Sequence, residues 1–533
     1  MGMYFSAMTL EWTLPNKWIA GIALLAFLIP VIGTEWEVLS FTHGIWSYPF
    51  DDTFIHLAIA KNIAYYGVWG ISPHTFSSAS SSVLYPLLLA GCMKIFGLAT
   101  WLPFAINLLA GIALIIVVQR WLARQGLSTI TQILTLLALI LLTPLPALVI
   151  FGMEHTLQLL FDFLFIYQFA AARDKTKMSW TVYLFGFLVM ATRYEGMFLI
   201  ALAGLLLLTA PGLPLMRRIR NAAQLGAIAS LPIVIFGLYA MSKGSYFIPN
   251  SVLVKSTTPG PADISDRLFY FHPTIGGIAI QRLLILLPLT YLFFLEQLRK
   301  APVYRCILLM LMGVTLFHLL FASTSILFRY ESYLIGCSIP VVSVMAAKYG
   351  ANWLQQQTPS KWLAIATILI LALPLFMRSQ AAFSIMARGS INIYEQQYQM
   401  GQFVHRYYNN TPMAMGDIGA ISFFSQGRNL DLEGLGNLEV ARSRKNNYWT
   451  PDFLDQQCRK DSVKVAIIFD RSYPFDLRRH WYKVATWQIP GNLVCYSDVV
   501  SFYAVDSANG PSLEANLKTF QPSLPGDVVV QYR

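Results

Sequence analysis

Two adjacent acids, Asp51 and Asp52, stand in the stretch WSYPFDDTFIHLAIAKNIAYYG, just after Pro49. One aspartate is enough to cap a helix, worth about 1 kcal/mol, so the second needs another reason. Chemically, such a pair suits removing a proton from a hydroxyl, which is a poor nucleophile until it is deprotonated. His56, one helical turn after Asp52, is placed to orient a carboxylate. Other ionisable residues stand at the ends of apolar runs. Glu154 lies in FGMEHT, Arg193 and Glu195 in ATRYEG, Lys255 in IPNSVLVKS, and Arg329 and Glu331 in FRYES. Each alone reads as an interfacial anchor or a buried ion pair. Together they read as a constellation, because ionisable groups at membrane depth are costly and face a bundle interior. Two acids and several cations around one cavity suit an anionic substrate with a proton to remove. No Cys/His spacing suggests a zinc site.

The elements that must position these residues are membrane helices. The chain has 533 residues, 56% hydrophobic and 12% charged. Soluble proteins are about 25% charged, so a cytosolic enzyme, a disordered chain and a small disulfide scaffold are excluded. Mean hydropathy is +0.53. Spans of about 20 apolar residues are expected near 16–34, 101–122, 128–148, 155–172, 178–192, 196–212, 222–241, 276–297, 304–322, 332–348 and 361–377, about 11 in all. The segment 83–97 is too short and reads as re-entrant or interfacial. Fourteen Lys/Arg fall in the turns and the leading end of one side, against seven in the alternate turns. By the positive-inside bias the amino terminus is inside, and span one is an uncleaved anchor. An odd count puts the carboxyl-terminal part outside.

Residues 378–533 carry 16 Lys/Arg and 14 Asp/Glu, against 22 and 13 over 1–377. The density of a soluble domain therefore begins near 378, and 1–377 is a membrane domain whose first outer loop, 35–100, holds the acidic pair. The basic excess belongs to the membrane half, where it reads as topology and contact with membrane lipids rather than nucleic-acid binding. KVAIIFD (464–470) and VVSFYAV (499–505) are strand patterns, so the outer domain is expected to be α/β. Asp417 in the GDIG turn reads as part of a fold turn, and Arg442, Arg444 and Lys445 as a solvated face. Cys458 and Cys495 are the pair in this domain, where a disulfide is permitted. The helix from Asp51 to about Tyr66 is expected to lie at the interface, Phe54, Ile55, Ala58, Ile59 and Ile63 sharing one face and Gly67 closing it.

YPFDDTFIHLAIAKNIAYYG followed by SSASSSVLYPLLLA resembles the GT-C glycosyltransferases, multi-span enzymes that take sugar from a polyprenyl-phosphate carrier. The pattern is most similar to the mycobacterial cell-wall arabinofuranosyltransferase branch. Asp51–Ile55, Ser80–Leu87, Gly152–Thr156, Thr192–Gly196, Pro249–Lys255 and Gly416–Gly419 match its segments in order through most of the chain. Departures are SSSVLYP in place of a TSPL-like turn and His155 inside the GMET-like segment; they bear on sugar and acceptor more than on reaction class. The aminoarabinose and protein mannosyl transferases share the loop acid.

The resemblance implies an inverting hexosyl- or pentosyltransferase of the bacterial cytoplasmic (inner) membrane. Such an enzyme moves a sugar, with arabinofuranose the one this branch suggests, from a lipid-linked donor to a hydroxyl of a glycan, lipid or protein acceptor on the outer, periplasmic side. It assigns the base to Asp51 or Asp52, with Asp51 preferred. Arg329, Lys255 and Arg193 are assigned to the donor phosphate, and His56, Glu154, Glu195, Asn250 and Tyr330 to substrate. A monophosphate donor does not strictly need a metal and the sequence shows no metal site, while a carboxylate-bound divalent cation is compatible with the chemistry. The rival reading is a transporter or lipid-linked sugar flippase, which favours mid-membrane ionisable residues and internal repeats. Here the acids cluster at one face and no repeat is visible. A non-catalytic assembly subunit would leave the acidic pair unexplained. Asp162, inside span four, has no assigned function.

Overall fold

A computed structural model describes residues 17–255, 274–324, 328–350 and 359–533. Apolar runs become helices throughout the first 377 residues: α1 (Lys17–Phe41), α2 (Asp51–Tyr66), α3 (Leu84–Phe96), α4 (Leu102–Arg124), α5 (Thr129–Leu142), α6 (Leu145–Ile150), α7 (His155–Ala172), α8 (Trp180–Thr192), α9 (Gly196–Leu208), α10 (Leu215–Ser242), α11 (Asn250–Lys255), α12 (Ile275–Phe293), α13 (Leu295–Lys300), α14 (Pro302–Phe321), α15 (Ser332–Tyr349) and α16 (Pro359–Ile393). A helix stands at every stretch expected to span. Among the described residues, seven are long and apolar enough to cross a membrane by length and composition, and α3, α5, α8 and α9 are shorter apolar helices.

The short pair matters for the site. α8 and α9 have 13 residues each, about 20 Å at ~1.5 Å per residue, less than the ~30 Å of a hydrocarbon core. Their connection, Arg193–Tyr194–Glu195, breaks the helix because Arg193 is extended at φ −153° and ψ 147°. A turn between two short spans cannot reach the surface on both sides, so its ionic residues are recessed in the bundle.

The α2 helix is covered rather than interfacial. Residues 53–62 and Ala64 are all buried, because α3 packs on one side and a helix of the carboxyl-terminal domain on the other. Gly67 ends α2 with φ 68°, its N–H reaching the carbonyls of Asn62 and Ile63. A positive φ is a conformation glycine adopts without a steric cost.

The composition break at 378 is not a linker. α16 runs through it to Ile393, continues as a π-turn (Tyr394–Tyr398) and then as α17 (Gln399–Tyr408). Arg378 is fully buried and bound to Glu331 at 2.6 Å, so it belongs to the membrane bundle. Beyond it lies a mixed six-stranded sheet of order β2-β1-β3-β5-β4-β6, made of β1 (Met413–Met415), β2 (Asn429–Asp431), β3 (Val465–Ile468), β4 (Tyr482–Gln488), β5 (Val499–Ala504) and β6 (Val529–Tyr532). The first three strands are parallel to one another and the rest antiparallel. Its helices are α18 (Gly419–Phe424), α19 (Leu438–Lys445), α20 (Pro451–Lys460) and α21 (Gly510–Phe520). Alternate residues separate its two cores. Met413, Met415, Val465 and Ile467 face one, with α17 and α21, and Ala414, Ala466 and Ile468 face the other, with α20, as the period of two in a strand requires.

That separation also corrects the expected disulfide. Cys458, on α20, is buried in the second core. Cys495 packs against the membrane bundle and donates its thiol to the Gln397 side chain at 3.4 Å. Both thiols are free.

Candidate functional site

The acidic pair heads α2 without capping it. The N-cap is Phe50, which makes no side-chain cap bond. Asp51 instead reaches across to the carboxyl-terminal domain. Its Oδ2 accepts from the Gly419 amide at 2.6 Å and its Oδ1 from the Ala420 amide at 2.8 Å. It therefore caps α18. Gly419 is required there, because a Cβ added to it would lie 2.1 Å from the Asp51 carbonyl oxygen and 2.7 Å from its carboxyl carbon. The other end of α18 is held by the same α2. Buried Lys61 donates from Nζ to the carbonyls of Ser422, Phe423 and Ser425 at 2.9, 2.7 and 2.8 Å. A carboxylate meets the positive end of a helix and an ammonium its negative end, both favourable for the helix dipole. One helix thus grips the other at both termini.

Asp417, in the turn that leads into α18, is the third acid of this cluster. Its Oδ2 accepts from Gln397 Nε2 at 2.8 Å. Burial, then the charges of Asp52 and Asp431, push its carboxyl up to about 6 against the Gln397 bond. For Asp51, burial and then the Asp417 charge push the carboxyl well above the usual range, against the two amide bonds. Asp51 stays partly exposed despite this crowding.

Asp52 is committed elsewhere. Its Oδ2 receives Arg329 Nη2 at 2.7 Å, with Arg329 2% exposed and Asp52 29%. The guanidinium lies 4.3 Å from the Phe50 ring centroid and 5.2 Å from that of Tyr330, a geometry that favours a desolvated cation over aromatic faces.

Behind this pair lies a second ionic knot. Arg193 forks onto Glu195, Nη2 to Oε1 at 2.6 Å and Nε to Oε2 at 3.1 Å. Its Nη1 donates to Glu154 Oε1 at 2.6 Å and contacts His155 Nε2 at 3.1 Å. Tyr330 stacks on His155 at 5.6 Å and lies under Arg193 at 4.9 Å. Glu154 is fully buried. Gly152 places it there. At φ 64°, an added Cβ would come within 2.5 Å of the Tyr48 ring.

The structure brings Asp51, Asp52 and Arg329 together, with Arg193, Glu154, Glu195 and Tyr330 adjoining. It does not set His56 on the acidic pair. His56 Nε2 lies 3.3 Å from Glu154 Oε2 and its Nδ1 3.3 Å from Ser80 Oγ, so both ring nitrogens are engaged away from the acidic pair. Asn250 opens α11, its backbone N–H donating to Ser78 Oγ at 3.2 Å and its Oδ1 buried without a hydrogen-bond partner. The Lys255 side chain lies outside the described residues. Arg193 is already matched by two carboxylates, which leaves Arg329 the better-placed cation for an incoming anion. Among the described residues no three His, Cys, Asp or Glu side chains converge to hold a metal ion.

Sequence reasoning missed Asp417 and Lys61. Asp417 read as an ordinary turn residue, since nothing local showed that the turn lands on α2. Lys61 carried a signal, a lone cation within FIHLAIAKNIA, because a buried lysine must find acceptors.

A family model described as a domain of unknown function (DUF8728) matches residues 391–503. No curated protein matches the chain. In structure the chain is similar to ArnT from Cupriavidus metallidurans bound to undecaprenyl phosphate. The TM-score is 0.54 at 12% identity, covering 92% of this chain and 99% of that one. It is similar also to the apo state of that protein, with TM-score 0.53 at 13% identity, covering 92% and 98%. A cryo-EM structure of the arabinofuranosyltransferase AftD from Mycobacteria aligns at TM-score 0.44 and 12% identity over 92% of this chain and 42% of that chain. The ArnT likeness extends over nearly the whole of both chains. The chain shares the fold of ArnT, a multi-pass helical membrane bundle followed by a carboxyl-terminal mixed α/β domain.

Proposed function

We propose that the chain is an inverting glycosyltransferase that moves a sugar from a polyprenyl-phosphate donor to an acceptor hydroxyl at the outer face of a bacterial inner membrane. The observation that carries the reading is the acidic pair with its divided duties, one carboxylate bonded to Arg329 and the other held by backbone amides with raised basicity. It is supported by the fold of ArnT, whose crystals contained undecaprenyl phosphate. The orientation, with the amino terminus inside and the α/β domain outside, rests on the loop charges. The arabinofuranose assignment rests on motif resemblance.

In this mechanism the acceptor O–H bond breaks as its oxygen attacks the anomeric carbon, and the proton passes to Asp51. Burial and the Asp417 charge raise the proton affinity of this carboxylate, as a general base requires, and its two amide bonds fix its orientation. The bond from the anomeric carbon to the phosphate oxygen breaks, and its electron pair leaves with the polyprenyl phosphate. Arg329, desolvated between Asp52 and the aromatic rings, is placed to neutralise that growing charge. Asp52 positions Arg329. Attack opposite the leaving group inverts the anomeric centre, as in single displacement by inverting glycosidases. Glu154, Arg193 and Glu195 form a buried scaffold that positions Tyr330 and, through Glu154, His56.

Purified protein supplied with a polyprenyl-phosphate sugar tests the reading. Release of polyprenyl phosphate with sugar appearing on an acceptor is expected. Movement of intact donor across a vesicle bilayer without cleavage would replace this reading by a flippase.

A further inference from the structure

Where α16 runs on toward the outer domain, its turn widens for five residues, Tyr394–Tyr398. Such π-turns are rare and recur at functional sites. Three consecutive polar residues in this one are buried, Glu395, Gln396 and Gln397. A buried polar side chain costs free energy unless it is hydrogen-bonded, so the partners of each show what it serves. Glu395 pairs at 2.9 Å with Arg388, which donates to the Gly491 carbonyl at 3.3 Å. Gln396 donates to the carbonyls of Ser497 and Asp498 at 3.1 and 3.3 Å. Both fasten the helix to the connection between β4 and β5. Gln397 differs, because it reaches the acidic cluster.

Both polar atoms of the Gln397 amide are committed. Nε2 donates to Asp417 Oδ2 at 2.8 Å and to Gln396 Oε1 at 3.2 Å, and Oε1 accepts from the Cys495 thiol at 3.4 Å. An ionised carboxylate only accepts, and a thiol donates, so the two partners fix which way the amide points. The charged groups that face Asp417 are Asp51 and Asp52 from α2 and Asp431 and Glu433 from the segment after β2. All four are carboxylates, and the connection between β4 and β5 adds the Cys495 thiol. Among the described residues no cation pairs with Asp417, so the Gln397 N–H is the side-chain group that favours its ionised form. Neighbouring carboxylates titrate as a pair, and whatever stabilises the charge on one leaves the proton to the other.

We propose that Gln397 is a positioning residue for the transfer: its amide, aligned by Cys495, holds the negative charge of the Asp51–Asp417 pair on Asp417 and so directs the acceptor's proton to Asp51. This rests on the glycosyl-transfer reading above, with Asp51 as the base. Gln397 acts through Asp417 and not on the sugar.

The test variant is Gln397→Met, which keeps the length of the side chain and removes the amide. Two readouts are taken on the full chain in nanodiscs. One is an isotope-edited infrared titration of the aspartate carboxyls, in which Asp417 is the band that Asp417→Asn removes. Gln397→Met is expected to raise the Asp417 titration from about 6 by about one unit or more, as loss of a hydrogen bond to a charged group requires. The other is the pH profile of kcat/KM for donor cleavage. A protonated Asp417 no longer raises Asp51, so the acid limb is expected to move down. In the double variant Asp417→Asn, Gln397→Met it is expected to stand where Asp417→Asn alone puts it. Asn392→Ala loosens the same junction by removing bonds to Glu395 and to the Leu493 amide. It is expected to lower thermal stability and to leave both titrations in place. Three results would overturn the proposal: an Asp417 titration unmoved by Gln397→Met, an acid limb that moves as far in Asn392→Ala, or a further shift in the double variant. Cleavage with the Asp417 titration unmoved removes the role of Gln397 and leaves the reaction. A shifted titration in a protein that cleaves no donor removes the reaction and, with it, the positioning role, leaving only the Gln397–Asp417 contact.

Discussion

Replacing Asp51 by Asn tests the base, but the structure makes it more than a change of basicity. Asn usually caps a helix about as well as Asp. Here two amides, Gly419 and Ala420, each use a separate carboxylate oxygen. Asn offers one oxygen and turns an NH₂ toward the other amide, so one bond to a charged group is lost, about 1.5–3 kcal/mol. Loss of charge at the α18 terminus adds ~0.3–1 kcal/mol, and relief of repulsion from Asp417 and Asp52 offsets part of it. The net loosening of the seam is ~1–3 kcal/mol. Loss of a general base costs about 10²–10⁴ in rate, or ~3–5 kcal/mol in activation free energy. The two ranges touch, so turnover of one variant cannot decide. Lys61→Met supplies the comparison. It frees the opposite end of α18 by removing donors from three carbonyls and leaves every acid in place. Turnover of polyprenyl-phosphate sugar and thermal unfolding are measured for both variants. Asp51→Asn is expected to fall at least about 10²-fold below Lys61→Met in turnover at comparable loss of thermal stability. Equal turnover in the two would refute Asp51 as the base and leave it a clamp.

Asp417→Asn removes a negative charge that raises the Asp51 carboxyl. Asp51 then ionises at lower pH, and the acid limb of the pH profile of kcat/KM is expected to move down; an unmoved limb would separate Asp417 from the base. Arg329→Lys keeps the charge but loses the guanidinium fork that serves both Asp52 and a phosphate. It is expected to raise the donor KM about tenfold or more, with little change if the phosphate is bound elsewhere. For topology, a cysteine at Lys445 is expected to react with an impermeant reagent in intact cells and one at Ile219 is not; the reverse pattern would invert the charge argument. Ending the chain after Ile393, which keeps all of α16 and the Arg378–Glu331 pair, is expected to abolish donor cleavage as well as acceptor use. Cleavage that persists would show that α2 needs no cover.

The parts of the fold legible in the sequence were those set by local pattern. Apolar runs place the membrane helices, because a helix in lipid satisfies its own backbone bonds. KVAIIFD and VVSFYAV read as β3 and β5 because strands alternate between two covered faces. Gly67 announced the end of α2. What was not legible depended on contacts between residues more than 360 positions apart, such as Asp51 with Gly419 and Lys61 with Ser422. The interfacial reading of α2 failed for the same reason. One apolar stripe looks alike whether lipid or α18 covers it, and Lys61 alone betrayed a protein cover. The break at 378 was a true shift in composition but not a joint, since charge density follows solvent exposure and α16 is continuous across it.

Under the proposed mechanism the seam gives the acids a reason to come as a pair. A single carboxylate cannot both hold a desolvated guanidinium and accept a proton, since the cation that stabilises its ionised form removes its basicity. Dividing the duties between neighbours solves this. Asp52 takes Arg329, and Asp51 lies in a crowded acidic setting with Asp417, where burial and like charge favour taking up a proton. That setting is built by the carboxyl-terminal domain, since Asp417 and both amides come from it. The proton-accepting side of the proposed site is therefore completed only when α18 is seated on α2, and its cation side lies wholly in the membrane bundle. Loosening the seam at Lys61 should then change turnover more than donor affinity, whereas substitution at Arg329 should do the opposite.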